Sequence, residues 1–103
     1  MAYQQAIQAL ADPTRRLVFE RLRGGPLPVG RVARGLRVTR PAVSQHLRVL
    51  ERAGLVKRTI DGRIHRCALE RKRLRDANAW IDRYTAFWDE ALDALAAFAE
   101  AKP

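Results

Sequence analysis

Ser44, Gln45 and Arg48 lie close together in the stretch of residues 37–56, which reads RVTRPAVSQHLRVLERAGLV. Side chains of these types can read DNA. Glutamine bonds two atoms of adenine, serine bonds several bases, and arginine reads guanine or holds phosphate. An ordinary amphipathic surface helix is the alternative interpretation of the same residues. The choice between the two depends on the elements that carry and surround them.

The stretch predicts one helix. Thr39 is a suitable N-cap, Pro41 is tolerated in the first turn, and Gly54 is expected to end the helix just after Ala53. At 100° per residue one face is apolar and is expected to pack on a core. That face consists of Val43, Leu47 and Leu50. The opposite face is polar and consists of Pro41, Gln45, Arg48 and Arg52, flanked by Ala42, Ser44 and Val49.

Three shorter helices are predicted before this one. The segment YQQAIQALAD forms the first, with Ala6, Ile7 and Leu10 inward. Asp12 and Pro13 then open a second helix, PTRRLVFERLR, because they suit an N-cap and a first turn. Its apolar residues are Leu17, Val18 and Leu22. The third helix is expected from Val29 to Arg34. A short helix, a tight linker and the fourth helix make a helix-turn-helix.

A basic β-hairpin is predicted directly after the fourth helix. Two β-prone runs, LVKRTI and RIHRCAL, flank Asp61 and Gly62, and this dipeptide is a strong signal for a type I′ turn. The hairpin carries Lys57, Arg58, Arg63, His65 and Arg66. A basic hairpin after a helix-turn-helix is typical of a wing, whose arginines lie along phosphates or enter the minor groove.

Charge is distributed unevenly along the chain. The net charge is +9, and residues 15–75 carry 18 Lys or Arg against four acids, whereas residues 76–103 carry two against six. A basic body suggests a polyanion as its partner, and an acidic end suggests a separate role. A solvated surface that happens to be basic is the alternative.

Targeting and membrane signals are not found in the sequence. The start, MAYQQAIQAL, lacks a basic patch followed by an apolar run, and no apolar stretch approaches the roughly 20 residues of a membrane span. A single cysteine, Cys67, forbids an internal disulfide and fits a reducing compartment. We therefore expect a soluble, cytoplasmic protein without membrane contact.

The sequence resembles the ArsR-type (arsenic-repressor-like) winged-helix transcriptional regulators of bacteria, over roughly residues 5 to 98. The segments that carry the resemblance are ALADPTRRLVFERL, VTRPAVSQHLRVLERAGLV and RTIDGRIHRCAL. The resemblance implies a homodimer that binds an inverted-repeat operator and represses. It places Thr39, Arg40, Pro41, Ser44, Gln45 and Arg48 at recognition-helix positions and Arg63 at the wing tip. Together with the basic residues on the helix and hairpin, the expected DNA-binding set is Thr39, Arg40, Pro41, Ser44, Gln45, Arg48, Arg52, Arg58, Arg63 and Arg66.

The sequence departs from the metal-sensing members of that family. Such members carry a Cys-x-Cys pair in the third helix, where this chain has Leu27, Pro28, Val29 and Gly30. Residues 70–103 contain no histidine, so zinc between the last helices lacks its usual nitrogen ligands. His65 and Cys67 supply only two ligands, short of the usual four. We expect no metal and no other cofactor, with Cys67 a small buried hydrophobe.

A long last helix is predicted, with an apolar seam spaced three and four residues apart. The seam consists of Leu74, Ala77, Ile81, Tyr84, Trp88, Ala91, Leu95 and Phe98, and Trp80, Phe87 and Leu92 widen it. We expect a dimer interface formed by the first and last helices, although such a seam can also close a monomer's own core. The expected interface residues are Ile7, Leu10, Leu74, Ile81, Tyr84, Trp88, Leu92, Leu95 and Phe98.

The expected architecture is mainly α with a small β-hairpin. It is a single winged helix-turn-helix domain over residues 1–103, in the order α-α-α-α-β-β-α, with residues 70–99 as a long C-terminal dimerisation helix. The expected function is sequence-specific transcriptional regulation by a homodimeric, metal-independent repressor that binds double-stranded DNA and responds to an unknown small-molecule or protein effector. Two alternatives are a nonspecific architectural DNA-binding protein and a repressor that senses redox through Cys67. No phosphate loop or catalytic constellation points to an enzyme.

Overall fold

The computed structural model describes the backbone of residues 2–101 and the side chains of residues 3–101, so Met1, Lys102 and Pro103 of the expected domain lie outside it. Five helices and three strands follow one another along the chain. The helices are α1 (Ala2–Ala9), α2 (Pro13–Arg21), α3 (Val29–Val32), α4 (Arg40–Arg52) and α5 (Lys72–Ala101). The strands are β1 (Leu27–Pro28), β2 (Val56–Asp61) and β3 (Ile64–Leu69). The winged-helix prediction is confirmed, with a two-residue strand added before α3.

Arginine side chains cap the ends of the first helices. Asp12 caps the start of α2, since its Oδ1 accepts a hydrogen bond of 2.9 Å from the Arg15 backbone N–H. Arg15 Nη1 donates to the Ala9 carbonyl and Arg16 Nη1 to the Leu10 carbonyl, each at 3.1 Å. These bonds satisfy carbonyls that the end of α1 leaves without helical partners.

The short helix α3 depends on one residue of α2. Arg21 donates from Nε to the Val32 carbonyl and from Nη2 to the carbonyls of Arg31 and Arg34. A helix of four residues has too few internal hydrogen bonds to persist alone, and this cap fixes α3 to the end of α2. The helix ends at Val32, two residues before the predicted end at Arg34.

The wing is a three-stranded antiparallel sheet in the order β1-β3-β2. The hairpin is confirmed, but its predicted turn is wrong by one residue. Asp61 pairs with Ile64 in the ladder, so the two-residue loop is Gly62 and Arg63. Gly62 has φ of 62°, and no non-glycine residue within 2–101 has positive φ. Glycine first in the loop fits a type II′ turn, whereas the type I′ turn would force Asp61 to positive φ.

The core lies between α1, α2, α4 and the sheet. The predicted inner face of α4, Val43, Leu47 and Leu50, is fully buried, and so are Val18, Leu22, Leu55 and Cys67. Leu55 and Val56 continue this core directly after Gly54, which takes the positive φ of 76° expected at a helix end. Ile7 was predicted to face inward but is 39% exposed, and the apolar Leu17 of α2 is 52% exposed.

The helix α5 extends far from the rest of the chain. Its 30 residues span about 45 Å at 1.5 Å per residue. Only Ala77 of this helix is buried. The chain measures 72 × 26 × 22 Å and has a radius of gyration of 19.1 Å, where a compact chain of this length has about 13 Å. No helix within residues 2–101 is long and apolar enough to cross a membrane.

Candidate nucleic-acid interface

The outer face of α4 presents the predicted DNA-reading residues to solvent. Thr39 caps the helix by accepting a 3.2 Å hydrogen bond from the Ala42 N–H through its Oγ1. Arg40, Pro41, Gln45, Arg48 and Arg52 are exposed and Ser44 is half-buried. Because Leu47 and Leu50 anchor the opposite face, the helix cannot rotate about its axis without exposing the core.

Gln45 and Arg48 form one unit on this face. Arg48 Nη1 donates a 3.2 Å hydrogen bond to Gln45 Oε1, one turn earlier on the helix. The bond holds the Gln45 carbonyl, and the Gln45 amide N–H groups remain free to donate. Sequence reasoning treated Gln45 and Arg48 as separate contacts, Gln45 to adenine and Arg48 to guanine or phosphate. The hydrogen bond makes the positions of the two side chains interdependent.

The wing presents its basic residues on two different faces. Residues paired across an antiparallel ladder share a face, and successive residues alternate. Arg58 pairs with the buried Cys67, so Arg58 lies on the inner face with His65. Arg66 pairs with Thr59 on the outer face, where Lys57 also lies. The wing arginines that the sequence grouped together therefore point to opposite sides.

Arg58 ties the wing to the recognition helix. Its Nε lies 3.3 Å from Glu51 Oε2 on α4, and its Nη1 lies 3.4 Å from His65 Nδ1 on β3. The side chain is only 19% exposed. The expected DNA contact of Arg58 stays a prediction, and these two partners hold its side chain between the wing and α4. The position of Arg58 in the strand pattern did not allow its contacts with Glu51 and His65 to be predicted from the sequence.

Arg63 lies in the loop of the wing, at the tip expected for it. Two large apolar residues flank the loop, since Ile60 is 63% exposed and Ile64 is 44% exposed. A tip with one arginine between exposed isoleucines has the size and character of groups that enter a narrow groove.

A basic pocket of about 450 Å³ opens between α3, the start of α4 and the wing. Four arginines from these elements line it together with Ser44 and His65. The arginines are Arg31, Arg40, Arg58 and Arg63. The contributions of Gly30 and Arg31 were missed from the sequence. The sequence feature that could have indicated them is a glycine followed by an arginine in α3, the helix before the recognition helix.

Part of the positive charge of the body is internal. Arg15, Arg16 and Arg21 bond backbone carbonyls and Arg58 bonds Glu51, so these guanidinium groups are only partly available to a polyanion. Asp12, among the few acids of this region, is held ionised: its hydrogen bond from the Arg15 N–H lowers the pKa of the carboxyl. The charge offered to solvent lies on α4, the wing and the pocket between them, and also on exposed arginines outside them such as Arg23, Arg34 and Arg37.

Cys67 lies at the centre of the wing sheet. It is fully buried between Arg58 on β2 and Leu27 on β1, and burial raises the pKa of its thiol. A neutral, buried thiol is a weak nucleophile and a weak metal ligand. Among the described residues, no group of three or more His, Cys, Asp or Glu side chains is arranged to hold a metal ion.

The last helix carries a continuous exposed aromatic and aliphatic face. Tyr3 of α1 stacks on Trp80, and Trp80 stacks on Tyr84, with ring centroids 5.7 and 5.2 Å apart. Beyond this stack the apolar seam faces solvent. Its exposed members are Ile81, Tyr84, Phe87, Trp88, Leu92, Leu95 and Phe98. Near the start of α5, Ile7, Leu10, Leu74 and Ile81 line an open cleft of about 720 Å³ against α1. The seam does not close this chain's own core.

The same architecture occurs in proteins of known class. Residues 10–59 match the family model described as a helix-turn-helix domain. The HTH-type transcriptional regulator Rv2034 of Mycobacterium tuberculosis is 48% identical over 89% of this chain and 83% of its own length. The transcriptional repressor SdpR of Bacillus subtilis is 30% identical over 72% of this chain and 82% of its own length.

A solved structure extends the likeness to nearly the whole chain. The ArsR-like transcriptional regulator from Rhodococcus sp. RHA1 superposes with a TM-score of 0.83 at 29% identity, over 98% of this chain and 95% of that chain. The two sequence relatives are likewise transcriptional regulators. The chain therefore belongs to the ArsR family of winged-helix transcriptional regulators, a family of DNA-binding proteins.

Proposed function

We propose that this chain is a sequence-specific repressor that binds an inverted-repeat operator as a homodimer and needs no metal. The observation that carries the proposal is the outer face of α4, where Ser44 and the Gln45–Arg48 pair stand over a firmly packed inner face. A helix fixed in this way holds its side-chain donors and acceptors in constant positions, which sequence-specific contacts with base edges in the major groove require. The basic wing beside it adds contacts to the backbone or minor groove.

Dimerisation is supported by the exposed apolar face of α5. Trp88 is 49% exposed and Leu95 is 62% exposed on a helix of which only Ala77 is buried. Large apolar faces of this kind, rich in aromatic residues, are typical of protein interfaces. A second copy fits best because a two-fold axis gives each α5 a self-complementary partner. Residues 70–99 then serve as the dimerisation helix of a single winged-helix domain, and Ile7 and Leu10 border the same interface.

Metal independence is supported by the donor chemistry. Pro28 and Gly30 stand where metal-sensing members of the family place thiolates, and Cys67 is buried with a raised thiol pKa. The same burial argues against redox sensing through Cys67. Release from DNA then depends on a small-molecule or protein effector. Operator affinity should be the same with a chelator as with added zinc, and a stoichiometric zinc effect that Cys67→Ser abolishes would contradict this.

The test of the repressor is a DNA-binding titration at two salt concentrations. The probes are a duplex carrying the chain's own promoter and a random duplex of equal length. We expect at least a thousandfold preference for the promoter and two protected half-sites about one helical turn apart. Equal affinity for both duplexes would contradict the repressor and favour a nonspecific architectural DNA-binding protein. Sedimentation at micromolar concentration tests the dimer separately.

A further inference from the structure

The basic pocket between α3, α4 and the wing has the chemistry of an anion site. Arg31, Arg40 and Arg63 lie on three different elements and all line the pocket, and none of the residues around it is acidic. Among residues 3–101, no carboxylate forms an ion pair with any of these three arginines. Guanidinium groups that converge from several directions match an anion with several oxygens.

Gly30 gives Arg40 its place in this pocket. A Cβ built at Gly30 would lie 3.2 Å from Arg40 Nη2 and 3.4 Å from Arg40 Cζ, which is tighter than ordinary contact. Gly30 does not have a positive φ, so its backbone does not require glycine. Glycine within a helix costs about 0.5–1 kcal/mol relative to alanine. The benefit that offsets this cost is the space in which the Arg40 guanidinium lies over the start of α3.

Arg58 supplies the back of the pocket. Glu51 and His65 hold its Nε and Nη1, and its Nη2 atom is buried without a hydrogen-bond partner among the described residues. The fixed guanidinium therefore adds positive charge behind the exposed Arg40 and Arg63.

We propose that this pocket holds one phosphate of the DNA backbone in each subunit, with Gly30 as the positioning residue for Arg40. The proposal rests on the DNA-binding function proposed above. When α4 lies in a major groove and the wing tip reaches the neighbouring minor groove, the phosphate strand that separates the two grooves crosses the space between them. The pocket occupies that space, between Ser44 on α4 and Arg63 on the wing. It brings α3 into the interface through Gly30 and Arg31.

The test replaces single phosphates of a promoter half-site by neutral methylphosphonates and measures the affinity of four proteins. These are the wild type, Arg40→Gln, Gly30→Ala and the matched control Gly24→Ala. A Cβ at Gly24 meets nothing within 4 Å, and Gly24 also lacks a positive φ. For the wild type and Gly24→Ala, neutralising one particular phosphate per half-site should lower the affinity for the duplex about tenfold. In Arg40→Gln, neutralising that phosphate should change the affinity by less than about twofold, because the contact is already lost. In Gly30→Ala the Arg40 guanidinium is shifted by a few tenths of an ångström, so neutralising the phosphate should change the affinity by less than in the wild type.

The proposal would be overturned if neutralising each phosphate lowered the affinity of Arg40→Gln and Gly30→Ala as much as it lowers that of the wild type. A random duplex separates this result from failure of the repressor. There the salt slope should fall by about 0.9 per lost contact in each subunit for both pocket variants and stay unchanged for Gly24→Ala. Equal affinity for promoter and random duplex, together with that fall, would refute the repressor and support the pocket. An unchanged salt slope in Arg40→Gln would refute the pocket even when the promoter is bound specifically.

Discussion

Arg58 Nε lies 3.3 Å from Glu51 Oε2, and this contact joins the second strand to the recognition helix. The same guanidinium also contacts His65 on the neighbouring strand. The helix and wing are therefore connected by a polar bridge as well as by the core beneath them. Since the proposed operator would contact helix and wing together, the bridge should matter more for the choice of DNA than for the stability of the fold.

The first prediction concerns that bridge. Glu51→Gln should lower the free energy of unfolding by no more than about 1 kcal/mol, because Glu51 is 40% exposed and solvent screens the pair. It should nevertheless reduce the ratio of promoter affinity to random-duplex affinity, since the wing is held less firmly. Glu20→Gln removes an exposed carboxylate elsewhere and is the control for charge. An unchanged ratio in Glu51→Gln would show that the ion pair does not position the wing.

The second prediction concerns base reading by α4. Gln45→Ala should cost about 1–3 kcal/mol at one or two base pairs per half-site and relax the preference there. Arg48→Ala should weaken all sequences alike and lower the salt slope. Because Arg48 donates to Gln45, the double variant should lose less than the sum of the two single variants. Titrations against every single-base variant of a half-site measure both effects. Altered base preferences in Arg48→Ala with none in Gln45→Ala would reverse the assignment.

The third prediction concerns Trp88. Trp88→Ala should weaken the dimer by at least about 2 kcal/mol, since large aromatic side chains near an interface centre carry much of its binding energy. Leu17→Ala, at an apolar residue of α2 that is 52% exposed, should leave the dimer unchanged. Sedimentation equilibrium over a range of concentrations measures both variants. A wild type that stays monomeric at micromolar concentration would refute the interface itself.

The fourth prediction concerns Asp12 and acid. The Arg15 N–H that bonds this carboxyl lowers its pKa below the usual 3.8, so the ionised form stabilises the folded state. That stabilisation is present above about pH 4 and is lost as the pH falls through the lowered pKa. Asp12→Asn keeps a capping oxygen that does not titrate, so its melting temperature should depend less on pH between 4 and 2. Asp89→Asn, at an exposed carboxylate of α5, is the control and should keep the wild-type dependence.

Local patterns predicted α4 correctly because its signals are local. Thr39, Val43 and Gly54 follow from capping and a period of 3.6, and each depends on neighbours within a few residues. The strand β1 was missed because two residues with a proline carry no periodicity, and its existence depends on Leu27 pairing with Cys67 forty positions later.

The roles of the arginines could not be predicted for the same reason. Arg21 bonds the carbonyl of Arg34 across 13 positions, and Arg58 finds Glu51 across a turn and a strand boundary. Composition treats these guanidinium groups as equal, whereas the fold uses some as caps and leaves others on the surface. The hairpin loop shows the limit of a local signal, because Asp61 and Gly62 favoured one turn and the ladder selected another.

The separation of α5 from the core has an evolutionary consequence. Beyond Ala77 the helix is exposed, so substitutions there do not disturb the packing of Val43, Leu47 and Leu50. In the proposed dimer, pairing preference and base preference can therefore diverge independently after a gene duplicates. Copies with altered seams would stop exchanging subunits while they still read the same DNA, and copies with altered α4 would acquire new targets while they still paired. Such modularity lets one genome keep many small regulators of this architecture without mixing their subunits.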